Sequence, residues 1–177
     1  MNFSCPLGKY GWLLFALVIV SACHHNNADH SLTAKPVIVT TTSLVKDAVQ
    51  NITGNKAEVI ALMGPGVDPH LYKATQGDMN KLLKADLVVY NGLHLEGKMH
   101  EVLEKLSHRK AVYAMATSLP DSLLRRIPGF ENTYDPHIWF DVQLWSAAVY
   151  HLSNYLQEWD KPNAAYYRNN YINYAAQ

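Results

Sequence analysis

Between Pro36 and Met115 four short apolar runs alternate with segments of helical period, and this alternation leaves the chain few architectures to adopt. The run Val37-Ile38-Val39 is β-branched and followed by three threonines, which predicts a buried strand that ends in a hydroxyl-rich loop. Val45, Ala48, Val49 and Ile52 recur at i, i+3, i+4 and i+7, so they share one helix face, and Gly54 stands where a C′ residue belongs. Glu58 to Met63 predicts the second strand, stopped by Gly64-Pro65-Gly66. Thr75 with Asp78 three residues on forms an acidic variant of the capping box, opening a helix whose core face holds Met79, Leu82 and Leu83. Leu87-Val88-Val89-Tyr90 is a third strand closed by Asn91-Gly92; Met99, Val102, Leu103 and Leu106 mark a third helix, and Lys110 to Met115 a weaker fourth strand. The order β-α-β-α-β-α-β predicts an α/β fold with a four-stranded parallel sheet flanked by helices and joined by right-handed crossovers. Ligands of such open sheets sit beyond the carboxyl ends of the strands.

The tripeptide Asp-Pro-His occurs twice, as Asp68-Pro69-His70 and Asp135-Pro136-His137, each time where helical or strand patterning stops. Proline fixes its own φ and biases the preceding residue towards extended backbone, so each histidine is presented from a stiff loop. One copy alone reads as an ordinary turn, because Asp-Pro opens turns commonly. The pair points to a metal-ion site: two neutral imidazoles with one or two carboxylates suit zinc or a neighbouring first-row ion. His70 follows the second strand and His137 is reached by the long connection after the fourth, which assigns both to the ligand-binding edge of the sheet. Asp68 and Asp135 either orient the imidazoles or cap their own turns. His100 and His108, eight residues apart on a polar helix face, are expected to be solvated, whereas the loop of His94 should open on the same edge as His70.

The first residues carry an export pattern: Lys9, an apolar run from Gly11 to Val20, and Ser21-Ala22-Cys23, with no acidic residue before the cysteine. The run is short for a membrane span, although an uncleaved anchor is the alternative. Cys23 after the small pair resembles a bacterial lipoprotein box, which implies residues 1–22 as a signal peptide and Cys23 as a lipidated first residue. Residues 23–35 are polar and without period, a flexible tether whose His24, His25 and His30 offer little preorganisation to a metal. The expected location is the cell envelope, as a membrane-anchored lipoprotein facing the periplasm or cell exterior. With Cys5 removed and Cys23 lipidated, no disulfide framework remains. Lys+Arg 15 against Asp+Glu 15 argues against nucleic acid as a partner.

After His137 the pattern turns helical again. Trp145, Ala148, Val149, Leu152, Tyr155, Leu156 and Trp159 share one face, Lys161-Pro162 ends the helix, and Asn163 is positioned to cap another. Tyr167, Tyr171 and Tyr174 form a stripe on that last helix, expected to be a surface awaiting another lobe. No stop signal precedes residue 177, so the expectation is a lobe over residues 36–160 and, over 161–177, the start of a linking helix that is cut short.

Three stretches, Asp68 to Tyr72, Ala85 to Glu96 and Asp135 to Asp141, resemble the zinc and manganese substrate-binding lipoproteins of ABC importers, and Pro162 to Tyr167 is similar to the start of that family's linking helix. The resemblance implies two α/β lobes joined by that helix, with one ion held between two histidines of the first lobe and a histidine or glutamate plus an aspartate of the second. By motif, His70 and His137 are the first-lobe ligands, and the others would lie past Gln177. The implied function is capture of a divalent ion, Zn2+ or Mn2+, and its delivery to a membrane permease; the implied partners are that ion, the permease, and the membrane through the lipid anchor. The family often has proline where Val142 follows Asp141, a departure that bears on how the next helix starts. A metal-dependent hydrolase is the main competitor, but no His-Glu-x-x-His is present and no glutamate adjoins either Asp-Pro-His, so no enzyme activity is expected. A surface adhesin with a structural metal is the third reading. Two imidazoles accept zinc and manganese alike, and the absence of a histidine-rich loop between the motifs removes one indicator of zinc.

Overall fold

The computed structural model describes residues 1, 34–130 and 133–177; the expected signal peptide, Cys23 and nearly all of the expected tether lie outside the described residues. Strands β1 (Val37–Thr40), β2 (Glu58–Ala61), β3 (Leu87–Tyr90) and β4 (Ala111–Ala114) form one sheet in the order β2-β1-β3-β4. All three pairings are parallel, with Ile38 opposite Val59 on one side and Leu87 on the other, and Val88 opposite Val112. Helices α1 (Ser43–Thr53), α2 (Gln76–Lys84) and α3 (His100–Ser107) make the crossovers, and α4 (Val142–Trp159) and α5 (Ala164–Ala175) follow.

Side chains alternate across a strand, so a sheet covered on both faces needs apolar residues at every position of its central strands. Here Ile38, Leu87 and Val89 enter a core shared with α1, α4 and α5, while Val39 and Val88 enter a second core under α2 and α3. All five are fully buried. Each such side chain contributes roughly 1.5–3 kcal/mol by leaving water. Truncating Leu87 to alanine would cost about 2–5 kcal/mol, because the rigid sheet beside it cannot collapse into the cavity.

Local signals fix the boundaries. Thr42 Oγ1 accepts from Val45 N at the start of α1, and Thr75 with Asp78 makes the expected capping box at the start of α2. At the other end of α2, the Lys110 ammonium donates to the carbonyls of Leu82, Leu83 and Ala85 at 2.9, 2.7 and 2.6 Å, satisfying groups that the helix itself leaves unpaired. α4 stops at Trp159 ahead of Pro162, as its sequence requires.

Three expectations change. Leu83 is 57% exposed: the nine-residue α2 buries only a narrow stripe, and Leu82 fills it. Asn163 makes no cap hydrogen bond, since its amide donates to Asp160 Oδ2 at 2.8 Å instead. The tyrosine stripe is not an open surface. Tyr167 is fully buried and donates to Asp160 Oδ2 at 2.6 Å, Tyr174 donates to Asp47 Oδ2 at 2.8 Å, and Tyr171 packs on the same core. α5 thus lies on α1 and α4, and a stripe of large amphipathic rings was satisfied by the nearest helices. Among the described residues no helix is long and apolar enough to cross a membrane.

Candidate metal centre

Both Asp-Pro-His segments come to the carboxyl edge of the sheet, where each begins as the same turn. Asp68 Oδ1 accepts from His70 N at 2.9 Å and Asp135 Oδ1 from His137 N at 3.0 Å, the side-chain-to-backbone bond that aspartate makes two residues on. Beyond His70 the chain is tied down by Tyr72, whose hydroxyl donates to Asp78 Oδ2 at 2.6 Å. Burial and the neighbouring carboxylate push the Tyr72 hydroxyl up to about 12. Burial alone would raise Asp78 as well, but hydrogen bonds from Thr75, Tyr72 and Lys81 outweigh it and hold the carboxyl well below its ordinary range.

His137 is positioned more firmly. An isolated antiparallel bridge between Arg126 and Tyr134 brings the chain back, and Asp135 N donates to Arg125 O at 2.8 Å. The Asn91 amide donates to Pro136 O at 2.9 Å, and Ile138, 1% exposed, anchors the following turn in the core. The Asp135 carboxylate also takes the ring: His137 Nδ1 lies 2.6 Å from Oδ1. Bonds from the His137 backbone and ring hold the Asp135 carboxyl below its usual value, so it is ionised and only accepts. The proton of a neutral His137 ring therefore sits on Nδ1, leaving the lone pair of Nε2 free for a metal.

That lone pair faces His70. The two Nε2 atoms are 3.3 Å apart and the ring centroids 5.3 Å apart. With zinc–nitrogen bonds of 2.0–2.1 Å, nitrogens at this spacing subtend an angle of about 107° at a shared ion, close to tetrahedral. The pair opens on a cavity of about 410 Å³ that His94, Leu93, Tyr134 and Asp135 also line. Trp139 meets the His137 ring edge-on at 5.2 Å and the exposed Phe140 stacks at 6.0 Å, giving the site an aromatic flank. Among the described residues no group of three or more His, Cys, Asp or Glu is arranged to hold a metal.

Of the remaining sequence candidates, Asp135 orients a ring, whereas the recorded bond of Asp68 is to its own turn. Asp141 caps α4, accepting from Gln143 N and Leu144 N at 3.0 Å each. Val142 is then the first helical residue, a position that proline also fits. His94 reaches the cavity of the pair but rests against His100, with ring centroids 4.7 Å apart.

Two residues carry structural weight at the site through contacts that the sequence reading did not anticipate. Glu96, 2% exposed, accepts from Thr41 Oγ1 at 2.6 Å, Asn91 N at 2.8 Å and Gly92 N at 3.2 Å, closing the loop between β3 and α3 onto the end of β1. Burial pushes this carboxyl above its ordinary value and those bonds pull it part of the way back. The loop includes three successive left-handed residues, Gly92, Leu93 and His94, at φ 90, 52 and 62°. Such backbone costs about 1–3 kcal/mol at each non-glycine residue and persists only where its surroundings enforce it. Asn91, which carries the bond to Pro136, keeps its buried Oδ1 unpartnered. The only sequence signal for this network was Asn91-Gly92, since glutamate is expected at the surface.

Comparison with known proteins gives the class. The family model described as "Zinc-uptake complex component A periplasmic" matches residues 38–177, and the chain belongs to this family of metal-binding components of ABC uptake systems, which are solute-binding proteins and not enzymes. Among its relatives, the manganese-binding lipoprotein MntA of Bacillus subtilis is 47% identical over 80% of this chain and 46% of its own length. The zinc-binding protein TroA of Treponema pallidum is 50% identical over 68% of this chain and 39% of its own length. The solved structure of the periplasmic zinc-binding protein TroA superimposes with a TM-score of 0.76 at 43% identity, over 80% of this chain and 50% of that one. A manganese-bound periplasmic metal-binding protein from Candidatus Liberibacter asiaticus gives 0.72 at 25% identity, over 80% and 52%. The chain thus spans about half the length, or less, of the relatives it matches.

Proposed function

We propose that this chain forms the first lobe of the substrate-binding component of an ABC importer and that His70 and His137 are two of the ligands to its cargo, a zinc or manganese ion. The observation that carries this reading is the 3.3 Å approach of two Nε2 atoms, one with its lone pair freed by Asp135. An ion there replaces a contact that otherwise needs a proton between the nitrogens. The positions left open on the ion would be filled by donors from a second lobe, corresponding to the part of the relatives that this chain does not match. Whether those donors add nitrogen or oxygen decides between zinc and manganese. Residues 1–22 would direct export, Cys23 would carry the lipid, and residues 23–35 would tether the lobe over residues 36–160, with 161–177 leading towards the second. Loaded protein would hand the ion to a membrane permease.

The test is competition against a chelator in the two-lobed protein. His70→Ala and His137→Ala should each weaken binding by well over 100-fold, beyond the 10 to 100-fold typical of residues that only support a ligand. Wild-type affinity in either variant would return that histidine to the role of a turn residue. Anchoring is tested separately: Cys23→Ser should release the protein from membranes or block its processing, with metal affinity intact.

A further inference from the structure

We propose that His94 and His100 form a second, weaker site for a nitrogen-preferring divalent cation, distinct from the His70–His137 pair. Their ring centroids are 4.7 Å apart, closer than the 5.3 Å of the pair already described. A metal about 2.05 Å from a ring nitrogen lies roughly 3.2 Å from the ring centre. Centroids 4.7 Å apart then fit one ion with a ring–ion–ring angle of about 95°, between square and tetrahedral arrangements. Both side chains are exposed, and the terminal torsion of histidine is soft, so either ring nitrogen can turn towards a common point.

The backbone gives an independent reason. His94 and Leu93 hold left-handed conformations that non-glycine residues avoid, and the Glu96–Thr41–Asn91 bonds keep them there. Strain so firmly maintained fixes where a side chain emerges. Here it sets His94 over the first turn of α3, beside His100. His94 and His100 both line a cavity of about 250 Å³. His94 also lines the cavity of His70 and His137, making it the wall common to both. A cation held by two imidazoles with its other positions open exchanges readily, and follows the general affinity order in which nickel and copper exceed manganese. The sequence concealed the pair, because residues six apart across a loop and a helix start share no periodic face.

Isothermal titration of the full chain with nickel tests this. His94→Ala/His100→Ala should lose one equivalent relative to the parent, and the same pair of changes made in a His70→Ala/His137→Ala background should lose one equivalent again. Unchanged stoichiometry in either background overturns the proposal: in the first no second site exists, and in the second the ion had been bound through His70 and His137. Should the double variant perturb the left-handed loop, His100→Ala alone leaves that loop untouched, because residue 100 has ordinary helical backbone. It should weaken the second equivalent at least tenfold without moving the urea midpoint, and an unaltered second equivalent would equally overturn the assignment.

Discussion

The two Asp-Pro-His segments share their sequence and their first hydrogen bond, yet they hold their histidines in different ways. In both, the aspartate accepts from the backbone two residues on. Only Asp135 also grips the imidazole, and only His137 is flanked by a core anchor, Ile138, and a long-range amide bond, Asn91 to Pro136. His70 is exposed, its loop secured further on by Tyr72 and Asp78. A tripeptide dictates its own turn; the freedom of its side chain is set by residues distant in sequence. The asymmetry makes one histidine a fixed post and the other an adjustable arm.

The largest effects, the losses from His70→Ala and His137→Ala, do not separate the two loops. Their carboxylates should. Asp135→Asn keeps an acceptor for the backbone bond but removes the charge that fixes the ring tautomer, so cargo affinity should fall about 10 to 100-fold, whereas Asp68→Asn should change it by less than about threefold. Equal losses in a chelator competition would erase the distinction between post and arm. A smaller effect is expected for Asn91→Ala, which orphans the Pro136 carbonyl: a destabilisation of about 1–2 kcal/mol in urea unfolding, with a several-fold loss of affinity. Unfolding that is unchanged would show that Pro136 is held without it.

The smallest effect concerns acid. Asp78 is depressed in the folded state, so its stabilising contribution is complete above the unfolded carboxyl value of about 3.9 and is lost as pH falls through that value towards the folded one. Wild type and Asp78→Asn should therefore differ in urea midpoint at neutral pH and converge as pH drops below about 4. A gap independent of pH would mean that the charge of Asp78 does not support the loop of His70.

The alternating sheet, the capping box and the end of α4 were legible because each follows from spacing within a dozen residues. Leu83 and the tyrosines were misread for one reason: periodicity shows that a helix has an apolar face but not how wide a stripe its neighbours cover, nor which neighbours they are. Asp135 could be suspected of orienting its histidine, yet nothing in the sequence separated it from Asp68. The contacts of Glu96 and Asn91 were invisible because their partners, Thr41 and Pro136, lie 55 and 45 residues away.

The 3.3 Å span between the two Nε2 atoms also acts as a fixed bite. Bonds of about 2.05 Å open the angle at the ion to about 107°, and bonds about 0.15 Å longer narrow it to about 97°, so a small tetrahedral ion and a larger six-coordinate one both fit the same jaws. A bite this tolerant would bind before it discriminates. With His70 and His137 as ligands, selection among metals would be displaced onto whatever donors complete the shell.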